Sequence, residues 1–154
     1  MPKTFLQIPP PWLQNYPPLL TAELTTRSQP SAVNEVLDWL QQVRPEFVPS
    51  RPWLECQTVI IEGFDNVLQH AHRHLSPETA IALRLSVYTE GMEMEIWDYG
   101  EPFDLSHALQ QLPEKQTEVA EHGRGLILMC RILDYMTYTR AEDGRNYLRM
   151  IKAF

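Results

Sequence analysis

The stretch from 80 to 98 most constrains what this chain can fold into. Ile81, Leu83, Leu85 and Val87 alternate with other residues, Glu90-Gly91 offers a turn, and Met92, Met94 and Ile96 alternate again. An apolar side chain at every second position marks a strand with one face in a core, and two such runs across a short turn make a hairpin. The hairpin's apolar face must then be covered. Asp98 has the parity of Met94 and Ile96. Strand geometry therefore aims its carboxylate at the covered side, where it is costly unless a partner donates to it.

The flanking segments supply the cover. A strand is expected at 19–26 and a helix after Ser31, with Val33, Val36, Leu37 and Leu40 at helical spacing and Pro45 as its end. Residues 46–52, with Pro49 and Pro52, read as a loop. From about 53 to 74 runs the strongest helical pattern, with Val59, Ile60, Phe64, Val67, Leu68 and Ala71 on one face. A short helix near 104–111, a polar loop at 112–122, a helix at about 124–133 and a closing hairpin at 135–141 and 146–153 complete the reading. Strands grouped mostly in hairpins, with helices between them, give an α+β fold: a two-layer α/β sandwich, mostly antiparallel, with helices on one face of the sheet. Residues 1–18 carry six of the 13 prolines. Proline fixes φ and removes donors, so this segment is expected to be an extended arm, not a helix, with Trp12, Leu13 and Tyr16 available to anchor it on a single domain at 19–154.

Charge and composition remove whole classes of function. A net charge of −7 argues against a general nucleic-acid binder. It is compatible with phosphate binding through backbone donors and a metal. No run reaches the roughly 18 apolar residues of a membrane span. Cys56 and Cys130 are too far apart in sequence to read as a disulfide framework, so reduced thiols and the cytoplasm are expected.

Three short motifs hold the candidate chemistry. In E-G-F-D-N, Glu62 and Asn66 lie one helical turn apart. An amide oxygen suits Mg²⁺ beside phosphates, and a carboxylate one turn away can orient or deprotonate a hydroxyl. The same pair also fits a solvated polar stripe. In D-Y-G-E-P-F, a buried Asp98 can accept from an exocyclic amine and Gly100 permits close approach of a flat ring, while a plain turn would use the same residues. In H-G-R-G-L, Gly123 and Gly125 flank Arg124 at the start of a helix, where free N–H groups favour anions. His70, His72 and His74 alternate. His70 and His74 share a helical face, but the pattern is not H-E-x-x-H, and a surface histidine cluster is expected, with His70 able to line the site. No P-loop and no nucleophile elbow is present.

Taken together, in this order, the motifs resemble the Bergerat-fold ATPases, and within them the small anti-sigma-factor serine/threonine kinases of partner-switching systems. E-x-x-x-N-x-x-x-H-A at 62–71, D-x-G-x-P-F-D at 98–104 and G-R-G-L at 123–126 carry the likeness. The resemblance implies Mg-ATP as cofactor, Glu62 as general base, and Asn66 as the Mg²⁺ ligand. It implies that Asp98 and Gly100 read adenine, with Phe103 and His70 nearby and Arg73 on phosphate. Gly123, Arg124, Gly125 and Leu126 would form the hinge and helix start at the phosphates, and residues 104–122 the mobile lid. It further implies a small anti-anti-sigma (STAS-like) protein as substrate, a sigma factor as a second partner, and a homodimer. Two departures stand out. Pro102 replaces a second glycine of the family's D-x-G-x-G, and Gly144 is followed by Arg145 and Asn146 where members carry Gly-Thr. Without that threonine, adenine binding is expected to be weaker or to use another residue. An inactive nucleotide-binding switch that sequesters a regulator, or a scaffold that binds no nucleotide, would share much of this pattern.

Overall fold

The computed structural model describes residues 8–112 and 123–154. Its elements run α1 (Trp12–Asn15), β1 (Leu20–Arg27), α2 (Ala32–Val43), α3 (Ser50–Asn66), a π-helical turn (Val67–Ala71), β2 (Ala80–Val87), β3 (Gly91–Asp98), α4 (Leu105–Gln110), α5 (Arg124–Ile132), β4 (Tyr135–Arg140) and β5 (Asn146–Ala153). The five strands form one antiparallel sheet in the order β1-β2-β3-β5-β4. Alternation decides which face is covered. Ile81, Leu83, Leu85, Met94, Ile96 and Met150 are buried on the face covered by α2 and α3, with α5 packed on α3. The opposite face carries Trp97 stacked on Tyr147 at 4.5 Å, the Arg145 guanidinium 4.6 Å from the Trp97 ring, and an Arg149–Glu93 ion pair.

Helix α3 lies against the centre of the sheet because Gly63 has no side chain to hold it off. A Cβ there would come within 2.7 Å of Ile96 Cδ1 and 3.2 Å of Leu148 Cδ2. Phe64, next in sequence, is 1% exposed and locks the contact. Truncating such a core phenylalanine costs about 3–5 kcal/mol. The glycine inside E-G-F-D-N thus sets the height of Glu62 and Asn66 above the strands.

Three expectations need correction. The proline-rich arm contains a helical turn at Trp12–Asn15, because Pro11 at its N-cap adopts helical angles and needs no donor there. Trp12 packs on Tyr88 with ring centroids 5.2 Å apart, covering the β2–β3 turn, whereas Tyr16 stays exposed. Second, α3 begins at Ser50, three residues before the expected start. Pro52 sits in its first turn, where a missing N–H costs nothing. Third, the long helix is not α-helical to 74. It passes into the π turn, where the His72 amide reaches back five residues to the Val67 carbonyl at 2.7 Å. Cys56 and Cys130 are both free thiols. Among the described residues, no helix is long and apolar enough to cross a membrane.

Candidate functional site

Asp98 ends β3 on the helix side of the sheet and is 1% exposed. Its neighbour in register is Asn146, the first residue of β5. The Asn146 amide donates to Asp98 Oδ1 at 3.0 Å and to the Gly100 carbonyl at 2.8 Å. The Gly100 amide also donates to Oδ1, at 2.8 Å, closing the turn that leaves the strand. Tyr138, on β4, donates its hydroxyl to Oδ2 at 2.8 Å. A carboxylate has about four acceptor positions, two on each oxygen. Oδ1 is fully used and Oδ2 keeps one. Burial raises the Tyr138 pKa, and the Asp98 charge pushes it the same way, so the phenol remains a donor at any ordinary pH. The Tyr138 ring lies against Phe103, with centroids 4.8 Å apart, and Phe103 itself is half exposed at the rim.

Gly100 is required by backbone contact. A Cβ on it would run into the Ala71 carbonyl and come within 2.8 Å of the Ala71 Cα. Ala71 is the last residue of the π turn, so that turn supplies the contact. That gives the glycine a reason beyond the close approach of a flat ligand. One turn back along α3, the Asn66 side-chain amide makes no hydrogen bond among the described residues. A further turn back, Glu62 meets Gly125, in the first turn of α5. A Cβ on Gly125 would collide with Glu62 Oε2. Helix α5 therefore starts beside Glu62, with Gly123 as its N-cap and Arg124 exposed at its first position. Burial raises the Glu62 pKa, and the nearby Asp65 charge adds to the rise.

Contacts thus join the three motifs in a line: Gly125 to Glu62, along α3 past Asn66 to Ala71, then Gly100 and Asp98. Leu126 is half-buried behind the start of α5. Residues 26–152 match the model of the histidine kinase-like ATPase domain. The chain belongs to that family. A comparison with curated proteins found no match. This chain's five-stranded antiparallel sheet under helices is consistent with that family's fold, so the expected fold class stands.

The remaining site residues are placed less centrally. His70 and Arg73 are exposed around the end of the π turn. The expected lid at 104–122 includes α4, whose N-cap Asp104 accepts from the His107 amide at 3.0 Å, and Leu105 is buried beneath it. Its part from 113 to 122 lies outside the described residues. The expected surface histidine cluster needs correction: His72 is 3% exposed. The π turn rotates it inward, away from where a continuous α-helix would carry it. Sequence reasoning also missed Tyr138 and Asn146. Strand parity with Leu148 and Met150 puts Asn146 on the covered face, but only the register of β5 on β3 sets it opposite Asp98.

Proposed function

We propose that this ATPase-family domain is a Mg-ATP-dependent serine/threonine-protein kinase acting on a small STAS-like protein. One observation carries the reading. Asp98 is a buried carboxylate with no cationic partner among the described residues, held by three neutral donors and left with one open position on Oδ2. A buried anion is costly without such donors, and a site of this kind rewards a ligand that brings another N–H. The amine of adenine is that ligand, with Phe103 at the rim beside it.

The donor set suits the rest of the nucleotide. Asn66 offers a free amide oxygen as a ligand for Mg²⁺. The backbone at Gly123 to Leu126, with Arg124, offers N–H groups and positive charge to phosphate. His70 and Arg73 lie at the other flank. Mg-ATP would supply the transferable phosphoryl group. Glu62 would orient the substrate hydroxyl and take its proton, which its raised pKa favours. The family match and the agreement of Glu62, Asn66, Asp98 and Gly125 with the kinase motifs support this reading over a scaffold. A homodimer and a sigma factor as second partner belong to the same proposal, and light scattering of the purified chain checks the former.

The deciding experiment is capture of partners from native lysate with and without ATP, followed by transfer from labelled ATP to the captured protein. Phosphate should appear on a serine or threonine of a small partner. Glu62→Ala should abolish transfer, by about 10²-fold or more, while ADP affinity stays within a few-fold. Full activity in that variant would remove Glu62 as the base. Failure of calorimetry to detect either Mg-ATP or Mg-ADP would remove the nucleotide reading itself.

A further inference from the structure

His72 has no part in the chemistry above, yet it is among the few buried polar side chains. The Tyr99 amide donates to its Nε2 at 2.8 Å. A ring nitrogen that accepts carries no proton, so the proton sits on Nδ1 and the ring is neutral. Nδ1–H then donates to Ser28 Oγ at 2.5 Å, and the Ser28 hydroxyl donates to the Thr79 carbonyl at 2.9 Å. One imidazole thereby joins the residue after β1, the end of the π turn, the residue before β2 and the residue after β3. Each bond has a defined direction, which leaves the ring a single tautomer and a single orientation.

Tyr99 lies between Asp98 and Gly100, and the residue is 53% exposed. Its side chain does little to hold it, so its backbone must be held from elsewhere. We propose that His72 is a positioning residue of the base-binding turn, fixing the Tyr99 amide so that Gly100 stays folded onto Asp98 Oδ1 and Oδ2 stays presented to the adenine amine. This rests on the reading of Asp98 as the adenine acceptor. The same turn also meets Ala71, the residue before His72, through Gly100. His72 and Ala71 thus both contact the D-Y-G segment. Without the imidazole, the Tyr99 amide would lose its acceptor, and Gly100, which donates to Oδ1, would lose the restraint on the residue before it.

The test compares the full chain with His72→Phe, which keeps an aromatic ring but loses both hydrogen bonds, and His72→Gln, whose carboxamide can accept from Tyr99 and donate to Ser28. Two quantities are read near pH 8, well below each variant's melting temperature: the Kd for Mg-ADP by calorimetry and the exchange rate of the Tyr99 amide by NMR. The Phe variant should bind Mg-ADP about tenfold more weakly and exchange the Tyr99 amide at least about tenfold faster, the size expected for one lost hydrogen bond. The Gln variant should lie within about threefold of the natural chain on both. A Phe variant that melts earlier but keeps its Mg-ADP affinity and its Tyr99 protection would overturn the proposal, because His72 would then serve stability alone. If the natural chain binds no Mg-ADP, the nucleotide reading fails, and the Tyr99 exchange rate still decides whether His72 holds the turn. If the Phe variant does not fold, the natural chain and the Gln variant decide. On acidification through the imidazole titration, the Tyr99 amide resonance should move in the natural chain and stay still in His72→Gln. A Tyr99 resonance that behaves alike in both would remove the proposal.

Discussion

At the scale of single residues, the proposed base offers the sharpest check. Glu62 is half-buried beside Gly125, and burial raises its pKa, with the Asp65 charge adding to the effect. A general base works ionised, so phosphate transfer should rise with pH through the raised pKa and level off above it. Asp65 is exposed and accepts from Gln69 at 2.8 Å, so Asp65→Asn should leave the fold unchanged. It should lower the midpoint of the pH–rate profile, because one anion near Glu62 is gone. Single-turnover transfer measured across pH with saturating ATP reads this directly. A midpoint that stays put or rises would mean that Glu62 does not set the profile. Much of this site is legible in the sequence because its residues are local. Glu62 and Asn66 are one turn apart, and the parity of Asp98 follows from Met94 and Ile96. Tyr138 and Asn146 are not legible in that way, since they reach Asp98 from 40 and 48 residues away. Only strand register brings them there. His72 was hidden for another reason: helical projection from His70 to His74 fails once a π turn adds a residue.

At the scale of elements, the junction of β3 and β5 holds the site together. Asn146 is fully buried and bridges Asp98 Oδ1 to the Gly100 carbonyl, with Arg140 donating weakly to its Oδ1 at 3.4 Å. Asn146→Ala would remove one donor from two buried acceptors and leave a small void. The cost should be about 2 kcal/mol, read as a lower urea midpoint at unchanged slope. Mg-ADP affinity should fall with it, since Gly100 loses a restraint on the side facing Asp98. Loss of stability with unaltered affinity would show that Asn146 ties strands together without shaping the turn. The elements themselves follow closely from alternation and helical spacing, and both hairpins lie where those patterns place them. The two misplaced helix starts share a cause. Pro11 and Pro52 read as breakers, yet each sits at a helix start, where proline is tolerated, and only the capping geometry of the folded chain distinguishes start from stop.

At the scale of the whole molecule, His72 couples the site to the stability of the fold. It ties β1 to the loop after β3, two segments separated in the sheet by β2. Burial lowers its pKa, while the charge of Asp98 opposes that change without reversing it. Asp98 is the charged group acting on the ring, and Ser28 and Tyr99 meet it with neutral groups. In the unfolded chain a histidine titrates near pH 6.5. Between that value and the lower folded pKa, the unfolded state binds more protons than the folded one, so stability falls as pH falls. The contribution of neutral His72 is therefore complete above about pH 6.5 and is lost progressively below it. Protonation would place a second N–H on the ring facing the Tyr99 N–H, two donors with no acceptor between them. Urea titrations of the natural chain and His72→Gln from neutral to mildly acidic pH isolate this effect, because every other titrating group is common to both. The natural chain should lose more stability than the Gln variant over that range, and the two curves should run parallel above it. A difference that grows in the opposite direction would mean that the folded protein prefers the imidazolium, and the assignment of a neutral ring accepting from Tyr99 would have to be abandoned.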